Sequence, residues 1–126
     1  RPDYPAIDAL LSPHGAVVLY LAALAEAEAR AGGEGATDAT GEGRLAVRAR
    51  SFARIASLAE DPATGSAVGP LCAYLHDRGL ARAVEVHQGV EMGRPSLLSA
   101  EIDAEGRASV SGSVVPLIDG TVELPG

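Results

Sequence analysis

The run Glu60-Asp61-Pro62-Ala63-Thr64-Gly65-Ser66-Ala67 places an acidic residue, a rigid proline turn and a Gly-Ser pair directly before an apolar helical segment. That order can build an anion site. The first turn of a helix leaves backbone N–H groups unpaired, and the aligned peptide dipoles add partial positive charge there. Gly65 allows a ligand close to the backbone, and the hydroxyls of Thr64 and Ser66 can cap the helix or donate to a ligand. Asp61 would stand beside a bound carboxylate, within reach of a proton on the same small molecule. The same order also fits an Asp-Pro turn followed by a capped, purely structural helix.

A second run, Gln88-Gly89-Val90-Glu91-Met92-Gly93-Arg94-Pro95-Ser96, carries two glycines suited to unusual backbone angles and close approach. Arg94 could hold a carboxylate, or could tie this loop to the sheet. Met92 is expected to pack. His14, His76 and His87 show no metal-ligand spacing, so structural or solvated roles are expected for them and no metal site is assigned. Cys72 is the only cysteine; it excludes an intrachain disulfide and falls in the apolar pattern of a helix, as a buried small hydrophobe would. Arg48 and Arg50 share one face of an expected strand near Arg54, a pattern typical of a solvated face.

Both runs resemble the two C-terminal signatures of the phenazine-biosynthesis-like (PhzF-like) isomerases, relatives of diaminopimelate epimerase, in that family's order and at about its spacing. Softer similarity runs from Arg1-Pro2-Asp3 to the final Gly-Ser-Val-Val and Asp-Gly elements. The resemblance implies a two-domain family, of which residues 1–126 match one domain, the C-terminal half. The family's N-terminal acidic general acid/base and its His-containing Gly-rich motif have no match here. The chain opens Arg-Pro rather than with Met, which leads to the expectation that the N-terminal half is absent. Diaminopimelate epimerases use paired cysteines, whereas the PhzF-like family places Asp at the position of Asp61.

The resemblance therefore implies half of a cofactor-independent isomerase or epimerase that moves a proton on a small carboxylate-bearing metabolite. Asp61 would be catalytic, and Gly65, Ser66, Ala67, Thr64 and Arg94 would bind substrate. The implied partner is the missing N-terminal half or a second protomer, giving a homo-oligomer. Two other readings stay open: an inert half-domain that binds a small anion or a partner protein, and one subunit of a naturally split isomerase.

Composition agrees with a single domain. The chain has 126 residues, near the commonest domain size, and its 47% hydrophobic content is enough for a core. Aromatic content of 3% without Trp leaves Ala, Val, Leu and Ile to fill that core. A formal net charge of −7 argues against nucleic-acid binding. The longest strongly apolar run, Ala16 to Ala25, is ten residues against the roughly 20 needed to span a bilayer. No membrane association is expected, and a cytoplasmic location is the default.

The pattern predicts a helix over Tyr4–Leu11, then a buried strand from Val17 through Tyr20 to about Ala22, with a helical extension possible towards Arg30. Ala31 to Gly43, with five glycines, reads as a flexible connection. Alternation from Leu45 through Phe52 predicts a half-buried strand, and Ser66–Arg78 a principal helix complicated by Pro70 and closed by Gly79. Strands follow at Val84–Gln88 and Leu97–Ile102. Two hairpins are expected, Ser99–Ile102 with Arg107–Val110 and Val114–Ile118 with Thr121–Glu123. The sum is an α+β fold. The family architecture is a curved, mostly antiparallel sheet around one central helix in each of two halves.

Overall fold

The computed structural model describes residues 1–24, 43–54 and 58–123. The chain folds as α+β, and the described residues form two α-helices and an open, mostly antiparallel sheet of six strands. The connection expected from Ala31 lies outside the described residues up to Glu42, as does the helical extension beyond Leu24. Leu21–Leu24 themselves are strand, because pairing with a neighbour overrides their helix propensity.

Helix α1 (Tyr4–Leu11) begins at Asp3, whose carboxylate accepts from the Ala6 N–H at 3.0 Å, and it has Pro5 in its first turn. Ser12–His14 adds a turn of 3₁₀ helix closed by left-handed Gly15. Arg54 ties this region to the sheet by donating to Asp8 Oδ1 (2.7 Å) and Ser12 Oγ (2.6 Å). The Tyr4 ring stands edge-on to Phe52 with centroids 6.2 Å apart.

Strand β1 (Val18–Leu24) pairs antiparallel with β2 (Leu45–Arg54). The other edge of β2 is shared. Its first half pairs in parallel with β4 (Ala83–Gln88), and its second half antiparallel with β3 (Leu58–Asp61). Strands β5 (Ser96–Ile102) and β6 (Ala108–Gly112) continue the sheet in the order β1-β2-β4-β5-β6. The β5–β6 hairpin turns through Asp103–Gly106, as the sequence predicts.

Helix α2 (Gly65–Asp77) lies against β4, β5 and β6. Val68, Cys72 and Leu75 recur at helical spacing and bury into Leu45, Val47, Val84, Val86, Leu98 and Ile102 from alternate positions of three strands. Each large side chain so buried contributes about 1.5–3 kcal/mol, which makes this cluster the main source of stability. The helix starts at Gly65 and carries Pro70 inside it, so the Ser66 carbonyl loses its usual donor. It ends in a Schellman motif: Gly79 N–H bonds the His76 carbonyl at 2.8 Å and Leu80 N–H the Leu75 carbonyl at 3.0 Å, with Gly79 left-handed at φ 65°.

Two expectations are corrected. The strand from Val17 is not buried: among the described residues β1 pairs only with β2, α2 lies over the other end of the sheet, and Val17 is 60% exposed. The second hairpin does not form. Residues 113–123 carry no strand and are exposed, with Ile118 at 94%, because no strand of the described chain pairs with them. The arginines on the outer face are all in ion pairs, Arg48 with Glu91, Arg50 with Glu60 in two-pronged fashion, and Arg54 with Asp8.

Candidate active site

The register of β2 brings the two signature runs together. Gln88, the last residue of β4, pairs with Ala49, and Asp61, the last residue of β3, pairs with Ser51. Two strands approaching β2 from opposite directions therefore end about 7 Å apart along it, at roughly 3.3 Å per residue. On the far side of β2, Tyr20 of β1 pairs with the same Ser51. The loops leaving β3 and β4 touch at Gly89. A Cβ there would collide with the Arg94 carbonyl oxygen and lie 2.9 Å from that of Pro62, and the backbone is left-handed at φ 75°.

Gln88 is fully buried at the centre of this junction. Its Nε2 donates to the Asp61 carbonyl (2.7 Å) and to Thr64 Oγ1 (2.9 Å). Its Oε1 accepts from the Thr64 N–H (3.4 Å) and from the Tyr20 hydroxyl (3.1 Å). Thr64 Oγ1 in turn donates to Asp61 Oδ2 at 2.7 Å, and the Ala63 N–H donates to Asp61 Oδ1 at 3.3 Å. Asp61 is only partly buried, and one acceptor position on each oxygen is filled from below. Burial, and then the charge of Asp61, push the Tyr20 hydroxyl up to about 12. The Ser51 hydroxyl is fully buried and has no hydrogen-bond partner among the described residues.

The start of α2 is open. Thr64 occupies the N-cap position, but its side chain makes no cap, being turned to Asp61 instead. The Ala67 N–H bonds the Thr64 carbonyl at 3.0 Å, whereas Gly65 and Ser66 have no acceptor for theirs among the described residues. Ser66 is exposed. The arrangement thus sets a hydrogen-bonded carboxylate beside a helix terminus with two donors to spare.

Other expected residues stand elsewhere. Arg94 is exposed, and its guanidinium has no acceptor among the described residues. Its loop is held by its backbone N–H on the Gly89 carbonyl at 2.9 Å. Cys72 is buried in the core cluster, its thiol facing the Arg82 carbonyl at 3.4 Å, and burial raises its pKa. His14, His76 and His87 are exposed. Among the described residues no three His, Cys, Asp or Glu side chains cluster as metal ligands would. No helix among them is long and apolar enough to cross a membrane.

Sequence reasoning missed Gln88 and Tyr20. A signal for Gln88 was present: in Val84-Val86-Gln88 it takes the parity of two core valines, where a polar side chain needs buried partners.

Fold and site together define an α+β domain in which the loops leaving β3 and β4 meet around one carboxylate at the foot of a helix. The chain belongs to the phenazine biosynthesis-like protein family, whose profile matches residues 20–120. It is similar to the trans-2,3-dihydro-3-hydroxyanthranilate isomerase of Pseudomonas fluorescens, 45% identical over 86 aligned positions that cover 61% of this chain and 30% of that enzyme. The same enzyme from Pseudomonas chlororaphis is 44% identical, and that from Pseudomonas aeruginosa 36%, with the same coverage. The similarity thus spans about 30% of the length of these relatives.

Proposed function

We propose that this domain forms one wall of an isomerase active site that moves a proton on a small carboxylate-bearing metabolite. The observation that carries the reading is the uncapped start of α2 beside Asp61: the Thr64 hydroxyl that could cap the helix holds the carboxylate instead. The Gly65 and Ser66 N–H groups, with Ala67 completing the turn, would hold a substrate carboxylate or an enolate oxygen. Asp61 would take or give a proton on one face, and an acid/base from a second half would act on the other. Closure by that half would exclude water and raise the basicity of the carboxylate. Arg94, exposed on the neighbouring loop, would meet a substrate or interdomain carboxylate. Similarity to isomerases of a dihydro-hydroxyanthranilate supports both the reaction class and the kind of substrate. This chemistry calls for no cofactor, and the reading places the enzyme in the cytoplasm as a homo-oligomer.

The test is Asp61→Asn in the enzyme completed by an N-terminal half. Turnover should fall by about 10²-fold or more, the usual scale for a general acid or base. Activity within a few-fold of wild type would reduce Asp61 to a turn residue. The second reading, a half-domain that binds a partner without catalysis, draws on the exposed apolar segment 113–123. It predicts partner capture that Asp61→Asn leaves unchanged.

A further inference from the structure

We propose that Gln88 is a positioning residue for proton transfer: its buried amide sets the direction of the Thr64 hydroxyl, which aims the Asp61 carboxylate. The catalytic part of this inference rests on the reading of Asp61 given above.

The orientation of the amide follows from its neighbours. The Asp61 carbonyl can only accept, so it must face Nε2, and the Thr64 N–H can only donate, so it must face Oε1. With Nε2 fixed, Thr64 Oγ1 accepts from it at 2.9 Å, and its own hydrogen is left for Asp61 Oδ2 at 2.7 Å. The hydroxyl cannot reverse without facing Nε2 donor to donor. The Tyr20 hydroxyl, at 3.1 Å from Oε1, fills the second lone pair and completes all four hydrogen bonds that the amide can make. A buried network with every member satisfied has one arrangement, and that rigidity passes to the carboxylate at its end. Asp61 is thereby held from β4, β1 and its own turn at once, although 27 residues separate it from Gln88.

The position of Gln88 serves this purpose better than packing would. Val84 and Val86 precede it on the same face of β4, and a third apolar residue would fill the space without needing partners. An amide there is useful because it speaks to two main-chain groups and two hydroxyls, and three of these four contacts belong to the Asp61–Thr64 segment or act through it.

Gln88→Met keeps the approximate shape and removes the hydrogen bonds. Crystal structures of this chain should show the Asp61 carboxylate leaving Thr64 Oγ1 in that variant. An unchanged carboxylate pose would overturn the proposal, whatever the enzyme proves to catalyse. In the enzyme completed by an N-terminal half, Gln88→Met should lower kcat by about tenfold or more with KM little changed, the pattern of an interaction felt in the transition state. Thr64→Val should match it, the two together should cost no more than either alone, and Thr64→Ser should restore wild-type turnover. A purely structural role would lower thermal stability without rescue by serine and without separating kcat from KM. That result, or a rise in KM alone, would also overturn the proposal. If Gln88→Met does not fold, the Thr64 pair tests the same link from its other end. Should Asp61→Asn retain turnover, the proton-transfer reading fails, while the carboxylate pose still decides whether Gln88 positions it.

Discussion

Tyr20 reports on the buried network at the level of a single residue. Its pKa is raised to about 12, first by burial and then by the negative charge of Asp61. A phenol whose folded-state pKa lies above its unfolded value of about 10 contributes stability that is complete below the unfolded value. That contribution is lost as pH rises through the folded one, since the unfolded state releases the proton first. Stability should therefore decline between about pH 10 and 12, and Tyr20→Phe should remove that part of the decline in denaturant titrations. Asp61→Asn takes away the second cause and leaves the first. The tyrosinate absorbance of Tyr20, isolated by difference against Tyr20→Phe, should then titrate lower than in the wild type yet still above 10. No movement would mean that Asp61 does not face the Tyr20 hydroxyl. Ser51 gives a prediction of opposite sign to most core substitutions. Its buried hydroxyl has no partner among the described residues, so Ser51→Ala removes an uncompensated polar group and should leave stability unchanged or raise it by about 1 kcal/mol. A loss of that size would show that the hydroxyl is bonded in solution.

Among the elements, the meeting of the β3 and β4 loops depends on Gly89. Both Gly89 and Gly93 are left-handed, at φ 75° and 72°, and an alanine in that region costs about 1–2 kcal/mol. Only Gly89 is also crowded, by the Arg94 and Pro62 backbones, whereas a Cβ on Gly93 meets nothing within 4 Å. Gly89→Ala should thus lower unfolding free energy clearly more than Gly93→Ala, as denaturant melts of the two can measure. Equal losses would contradict the close contact of the loops. How far the sequence revealed such features depended on how local their causes are. Helix α2, the Leu45–Arg54 strand and the β5–β6 hairpin follow from periodicity and turn residues that lie within each segment. The two signature runs were visible as chemistry, but not their junction, which arises because β2 pairs in parallel with β4 and antiparallel with β3. Gln88 reaches Tyr20 across 68 residues, a distance that no window on the sequence spans. The end of β1 and residues 113–123 depart from the sequence reading for the same reason in opposite directions: the strand expected to about Ala22 runs on to Leu24. The first pairs with β2 two residues further than propensity foresaw, and the second has no strand partner among the described residues despite its apolar content and its Asp119-Gly120 turn.

The whole molecule is left with unfinished surface. Strand β6 is exposed along its length and stands at one edge of the sheet, and residues 113–123 follow it without a strand partner among the described residues. Val114, Val115, Leu117, Ile118 and Val122 are each between 79% and 94% exposed, although burying such a side chain is worth about 1.5–3 kcal/mol. An open strand edge next to a run of apolar side chains is a template for another chain. The aligned region accounts for 30% of the length of the isomerases it resembles, and the chemistry proposed for Asp61 needs a second acid/base across the substrate. Two expectations for the isolated chain follow from one cause. It should self-associate, with sedimentation showing a mass above the monomer at raised concentration, and removal of residues 113–126 should return it to monomer. A monomer that keeps those residues would show that the segment folds back or stays solvated. Neither form should exchange substrate protons with heavy water at enzymatic rates, because pairing two copies supplies two Asp61 carboxylates and no opposing acid/base of the kind required. Rapid exchange that disappears in Asp61→Asn would show instead that this domain is sufficient by itself.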